Sequence, residues 1–86
     1  MNTAAATDLD LEAMRTKINS IDDELIRLWQ ERSAISKEVG KRRMASGGTR
    51  LSLDRERQIC ERFRTALGTD GTQLALLLLR AGRGPL

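Results

Sequence analysis

Apolar residues recur along the first half of the chain at Leu11, Met14, Ile18, Ile21, Leu25, Leu28, Ile35 and Val39, in steps that alternate three and four once Arg32 is counted in the series. That spacing keeps them on one face of a helix; strand-like alternation is absent and no proline intervenes. One long helix is predicted from about Asp8 to about Met44. Thr7 or Asp8 is placed to cap its start, and Asp10 and Glu12 suit the positive end of its dipole. Such a rod runs roughly 50 Å, whereas a compact chain of this size has a radius of gyration of about 12 Å. Nothing else in the sequence is long enough to cover the apolar seam, so a second copy of the chain is expected to do so.

The segment Ala45-Ser46-Gly47-Gly48-Thr49-Arg50 holds the glycines needed to end that helix and turn the chain. Ser52 is placed to cap a second helix, with Asp54 in its first turn and Ile59, Cys60, Phe63, Ala66 and Leu67 on its buried face. Gly68-Thr69-Asp70-Gly71 reads as a second break. A third helix is predicted from about Thr72 to Ala81, stopping at Gly82; its run of leucines from Leu74 to Leu79 calls for burial between other helices. The fold class expected is therefore all-α, with three helices, one very long, forming an intertwined homodimer. The helical domain spans residues 8–81, between a flexible start at 1–7 and a tail at 82–86 that is mobile or held by a partner.

With 86 residues, 40% hydrophobic and 31% charged, the chain has room for one small domain and does not read as disordered. It has no histidine and one cysteine, Cys60, which argues against a zinc or haem site and an internal disulfide, so oligomerisation is the expected source of further burial. The N-terminal residues lack a charged and then apolar leader pattern, and the longest apolar run is too short to span a bilayer; a cytoplasmic protein with no membrane partner is expected.

The net charge of +3 is uneven: residues 1–31 carry three basic and seven acidic side chains, 32–57 eight and three, and 58–86 four and two. Twelve of the fifteen cations are arginine, whose planar fork suits carboxylate or phosphate. Arg32 falls on the apolar seam itself, and Arg43, eleven residues on, returns to within about 20° of the same face, about 16 Å along the helix. Buried unpaired charge is costly, so each arginine requires a counter-charge. Glu56 is the one obvious internal candidate and cannot neutralise the cluster, which points to an anionic ligand inside the bundle. Three plainer possibilities stay open: both arginines snorkel to the surface, or pair with Glu31 and Glu38, or Arg32 fixes coiled-coil register. Arg15 reads as a surface charge on pattern alone, and Trp29 and Phe63 as core rather than a base-stacking platform. The glycine turn follows a helix and lacks the lysine of a phosphate loop.

Arg15 to Lys17, Ile18, Asp22, Leu25, Glu31-Arg32, Glu38-Val39-Gly40-Lys41, Arg43 and Asp54-Arg55-Glu56-Arg57 together resemble the AroQ-type chorismate mutases, over about Leu11 to Phe63. Met44 to Arg50 and Arg80-Ala81-Gly82-Arg83-Gly84 resemble the short actinobacterial subclass of that family. The resemblance implies an intertwined helical dimer that rearranges chorismate to prephenate without a cofactor or metal. Carried over by position, it gives Arg15 the role of holding a substrate carboxylate in the partner's site and Arg32 that of holding one in its own. Arg43 addresses the ether oxygen and neighbouring carboxylate, Glu56 accepts from the ring hydroxyl, and Arg55 lies beside them. Ser52 stands where many relatives have aspartate and offers a backbone or hydroxyl contact; Thr49 lines the mouth.

One departure is a glutamine that many members supply from the last helix as a second donor to the ether oxygen. Here Gln73 lies too early in that helix. A slow isolated enzyme follows, and the subclass resemblance implies activation in a complex with DAHP synthase, the 45–51 turn and the 82–86 tail forming the contact surface. A dimeric helical module binding nucleic acid or protein is the alternative; it would carry its arginines outward in a stripe. Inward-facing Arg32 and Arg43 argue against it, and no nucleic-acid partner is expected.

Overall fold

A computed structural model describes residues 3–48 and 52–84, residues 3–7 as backbone only. It holds three helices, α1 (Thr3–Ala45), α2 (Leu53–Leu67) and α3 (Thr69–Arg83). Among the described residues none lies in a strand, and no helix is long and apolar enough to cross a membrane.

The long helix begins at Thr3, before the expected start at Asp8, so Thr7 and Asp8 lie inside it rather than capping it. The alanines at positions 4–6 carry the strongest helix propensity of any residue and extend the helix outward. Arg42 and Arg43 occupy its last turn, where cations suit the negative end of the dipole. It stops where Gly47 takes φ +88°, and the Gly48 N–H donates to the Arg43 carbonyl at 2.8 Å.

Ser52 caps α2 as expected: its backbone is extended, its hydroxyl accepts from the Arg55 N–H at 3.4 Å, and Asp54 and Glu56 follow in the first turn. The second break is shorter than expected. Only Gly68, at φ +76°, interrupts the helices, and α3 begins at Thr69. Gly71 and Gly82 are interior residues of α3, buried against neighbouring elements. A Cβ on Gly71 would lie 2.6 Å from the Phe63 carbonyl carbon, and one on Gly82 would lie 2.7 Å from Ser36 Cβ. Both glycines therefore let backbones approach closely. The helix ends instead at Gly84, with φ +73° and its N–H donating to the Arg80 carbonyl at 3.0 Å.

α3 lies between the other two helices, which pack on it and not on each other. Its buried residues are Gly71, Ala75, Leu78 and Gly82, while Leu74, Leu76 and Leu77 remain exposed on this single chain. On α2, Ile59 is buried and Cys60 and Phe63 are half-buried; Ala66 and Leu67, expected on the same face, are exposed.

Every described side chain of α1 from Asp8 to Glu31 is exposed. Ile18, Ile21 and Leu25 lie at 55%, 54% and 60% exposure, so the seam read from the sequence is uncovered over the whole N-terminal half of the helix. The molecule extends 70 × 24 × 17 Å with a radius of gyration of 19.0 Å, far above the ~12 Å of a compact chain of this size. Side chains that are half or more exposed contribute only a fraction of the ~1.5–3 kcal/mol that full burial of a large apolar side chain supplies. The free chain is thus short of core.

The close approach at Gly71 gives a direct check on the α2–α3 contact. Gly71→Ala is expected to destabilise the protein by about 1–3 kcal/mol, as overpacking does; an unchanged urea midpoint would show that the two helices are not so closely seated.

Candidate functional site

The C-terminal half of α1, the first turn of α2 and the last turn of α3 enclose a cavity of about 480 Å³. Arg32, Arg43, Ser52, Arg55 and Glu56 all line it, which brings together five side chains singled out in the sequence from positions up to 24 residues apart. Ile35, Val39, Ile59 and Leu79 supply apolar wall. Because α1 and α2 pack only on α3, the gap between them is set by the thickness of that third helix.

Arg32 is half-buried and its Nη1 lies 3.4 Å from the Leu78 carbonyl oxygen, toward which it donates. Arg43 is half-buried as well, its stem covered by the turn that follows α1: a Cβ at Gly48 would lie 2.8 Å from Arg43 Cγ. The plainer pairings left open by the sequence are occupied by other residues. Glu31 accepts from Arg27 at 2.8 Å, and Glu38 from Arg42 at 3.2 Å. Neither carboxylate meets Arg32 or Arg43 among the described residues.

Glu56 does have a partner, and it is one the sequence reading passed over. Arg83 Nη1 donates to both carboxylate oxygens, each at 2.8 Å, with the two side chains only 25% and 21% exposed. Arg83 was expected in the tail, beyond a helix stop at Gly82; the structure places it as the last residue of α3, in the cavity wall. The missed signal was Gly82 itself, which fits a helix pressed against a neighbour as well as it fits a helix end. Lys37 and Lys41 also line the cavity.

Six cations, Arg32, Lys37, Lys41, Arg43, Arg55 and Arg83, thus surround one carboxylate. Glu56 is engaged by Arg83, and the other five cations make no ion pair among the described residues. Arg32, Arg43 and Arg83 are half-buried while Lys37, Lys41 and Arg55 are exposed; like charges gathered on one cavity repel one another, and an anion with two carboxylates is a suitable counter-charge. The helix-surface pairs are separate from this cluster. At Glu24 the hydrogen bond from Arg27 holds the carboxyl below its ordinary range, and at Glu61 the bond from Arg64 does the same.

Of the expected site residues that the structure describes, Arg15 is the one outside the cavity. Arg15 is on the uncovered half of α1, 69% exposed, and donates to Glu12 at 3.1 Å. It lies 17 residues before Arg32, about 26 Å along the helix, beyond the reach of any side chain. Thr49 lies outside the described residues, as do Arg50 and Leu51.

With the geometry in place, comparison with known proteins is decisive. A family model for chorismate mutase type II matches residues 14–77. The chain belongs to this family. It is 48% identical over 77 residues to an intracellular chorismate mutase of Mycolicibacterium smegmatis, covering 90% of this chain and 74% of that protein. It is also 48% identical over 77 residues to the intracellular chorismate mutase of Mycobacterium tuberculosis, of which it covers 72%. Its fold matches a chain in the structure of the non-covalent complex of DAHP synthase and chorismate mutase from Corynebacterium glutamicum with bound transition state analog, at a TM-score of 0.88 and 44% identity. That match covers 93% of this chain and 96% of the other. The family that the residues between Arg15 and Arg57 resemble is the family found, and the three-helix fold it implied is the one observed.

The charge deficit of this chorismate mutase family member generates a prediction that does not depend on turnover. At matched ionic strength malate, a dicarboxylate, should raise the thermal midpoint above that in chloride; saturation at 100 Kd is worth about 2.7 kcal/mol. Arg43→Met should remove most of the increment, and an equal increment in that variant would place the anion elsewhere.

Proposed function

We propose that the chain is a chorismate mutase that rearranges chorismate to prephenate in a cavity completed by a second copy of itself. The observation that carries this is the meeting of Arg32, Arg43, Arg55 and Glu56 around one partly enclosed space with a large excess of positive charge. The substrate is a dianion, so its two carboxylates supply the missing counter-charge. The rearrangement is intramolecular: the ether C–O bond breaks as the C–C bond forms, no atom enters or leaves, and no proton need move. What the protein supplies is orientation and charge.

Arg32 holds one carboxylate, and Arg43 donates toward the ether oxygen, where negative charge develops as the bond breaks. Glu56 accepts from the ring hydroxyl, Arg55 adds charge beside it, and Ser52 contributes at the hydroxyl end. Thr49 is proposed at the mouth. Confining the flexible enolpyruvyl arm over the ring is an orientation effect; buried Ile59 restricts water in the wall, and Ile35 and Val39, exposed on the single chain, do so once the second copy covers them.

Arg15 enters through the second copy. Its position about 26 Å along α1 from Arg32 keeps it from its own cavity, whereas a copy packed along the uncovered seam brings its Arg15 toward it. The same pairing covers Ile18, Ile21 and Leu25, which accounts for the thin core of the single chain. The complex solved for the C. glutamicum relative supports activation of this chain by DAHP synthase. The contact is proposed on the 45–51 turn and the end of the chain after Arg83, since Gly82 and Arg83 themselves are packed into the fold, and the site of action inside the cell, as the relatives' names state for them.

The test is the loss of chorismate absorbance on adding purified protein, alone and with DAHP synthase. Slow turnover that rises with the synthase is expected. Arg43→Ala should lower kcat by about 10²–10³, the usual effect of losing one such donor, with the oligomeric state unchanged. Wild-type protein inert with and without the synthase would contradict the proposal. Binding to DNA with steep salt dependence would then favour the nucleic-acid module.

A further inference from the structure

We infer that Arg83 is a positioning residue that fixes the orientation of Glu56 from the far end of α3. The inference rests on the chorismate mutase reading above, in which Glu56 accepts a hydrogen bond from the substrate. Among the described residues every other ion pair joins residues three or four apart on one helix and is well exposed. Arg83–Glu56 alone ties one helix to another, across 27 residues, with both side chains largely shielded. Such exposed pairs contribute little, while a shielded, charge-assisted pair has the geometry to hold a side chain in place.

The surroundings set where Arg83 stands. Gly82 is pressed on Ser36 of α1 with no space for a Cβ, so the last turn of α3 is seated on the long helix. Gly84 ends α3 directly afterwards in a left-handed conformation that favours glycine. Between these two glycines the guanidinium is directed to α2, and its Nε is buried without a hydrogen-bond partner. Leaving that donor unsatisfied is unfavourable, and the contact to both Glu56 oxygens is what the arrangement retains instead.

The consequence for Glu56 is specific. A free glutamate side chain samples many rotamers, and this one would face Arg55 and Arg43 in the same cavity wall. Arg83 engages one lone pair on each oxygen, which leaves acceptor capacity on both for a hydroxyl. It thereby fixes the acceptor while leaving it available. Arg83 acts through Glu56, without contact with the reacting atoms.

A double-mutant cycle on kcat/KM tests this. Arg83→Met should lower kcat/KM about tenfold in the otherwise wild-type protein, the scale of one charge-assisted hydrogen bond. In a Glu56→Gln background, the same change should cost about twofold or less, because the group it positions is already altered. Arg83→Lys should retain more activity than Arg83→Met, and it carries the same cycle if the methionine variant does not fold. Circular dichroism of each variant checks helicity. An equal loss in both backgrounds overturns the inference and marks Arg83 as a direct substrate contact or a simple staple. Wild-type protein inert toward chorismate, with or without the synthase, overturns the functional reading itself and this inference with it.

Discussion

The backbones of the two helices that carry the cationic side chains do not approach each other closely. α1 bears Arg32 and Arg43, α2 bears Arg55 and Glu56, and α3 holds them apart at a distance fixed by glycine contacts at Gly71 and Gly82. The space left between them is the cavity. A bulkier interface on either side of α3 would move one half of the site relative to the other. The small residues Gly71, Ala75 and Gly82 on its buried face are therefore as much a part of the site as the arginines.

In the proposed reading the guanidinium groups of the cavity repel one another and a dianion relieves that repulsion on binding. The same charges are those suited to an ether oxygen acquiring negative charge in the transition state. The exposed half of α1 has a parallel shortage, in apolar contacts rather than in charge. The proposed second copy answers the apolar shortage, covering the seam with its own, and it delivers Arg15 to a cavity that Arg15 cannot reach within one chain; the excess of positive charge is left for a dianion to balance.

Much of this was legible in the sequence, for reasons that can be stated. The three-and-four spacing from Leu11 to Val39 is a local signal with few competing readings, and Arg32 stands out only against such a regular seam. Ser52 follows a glycine turn and precedes an acidic first turn, so its cap was readable too. The ends of α3 were not. Gly68 and Gly84 terminate helices at positive φ, whereas Gly71 and Gly82 permit close packing, and a glycine looks the same in the sequence in either case. That ambiguity displaced Arg83 into the tail and left Glu56 without its partner. Glu31 and Glu38 showed the converse problem: each has two arginines within reach along α1, and side-chain geometry chose Arg27 and Arg42.

Whether two chains share each site is the central question, and subunit complementation measures it most directly. Chains carrying Arg15→Ala and chains carrying Arg43→Ala should each be nearly inactive alone. In a dimer with one of each, one cavity regains its own Arg43 together with an intact Arg15 from the other chain, while the second cavity loses both. An equal mixture, unfolded and refolded together, should therefore recover about one quarter of the wild-type rate per chain, since half the dimers are mixed and each has one intact site. A mixture no more active than the average of the two variants would contradict the account.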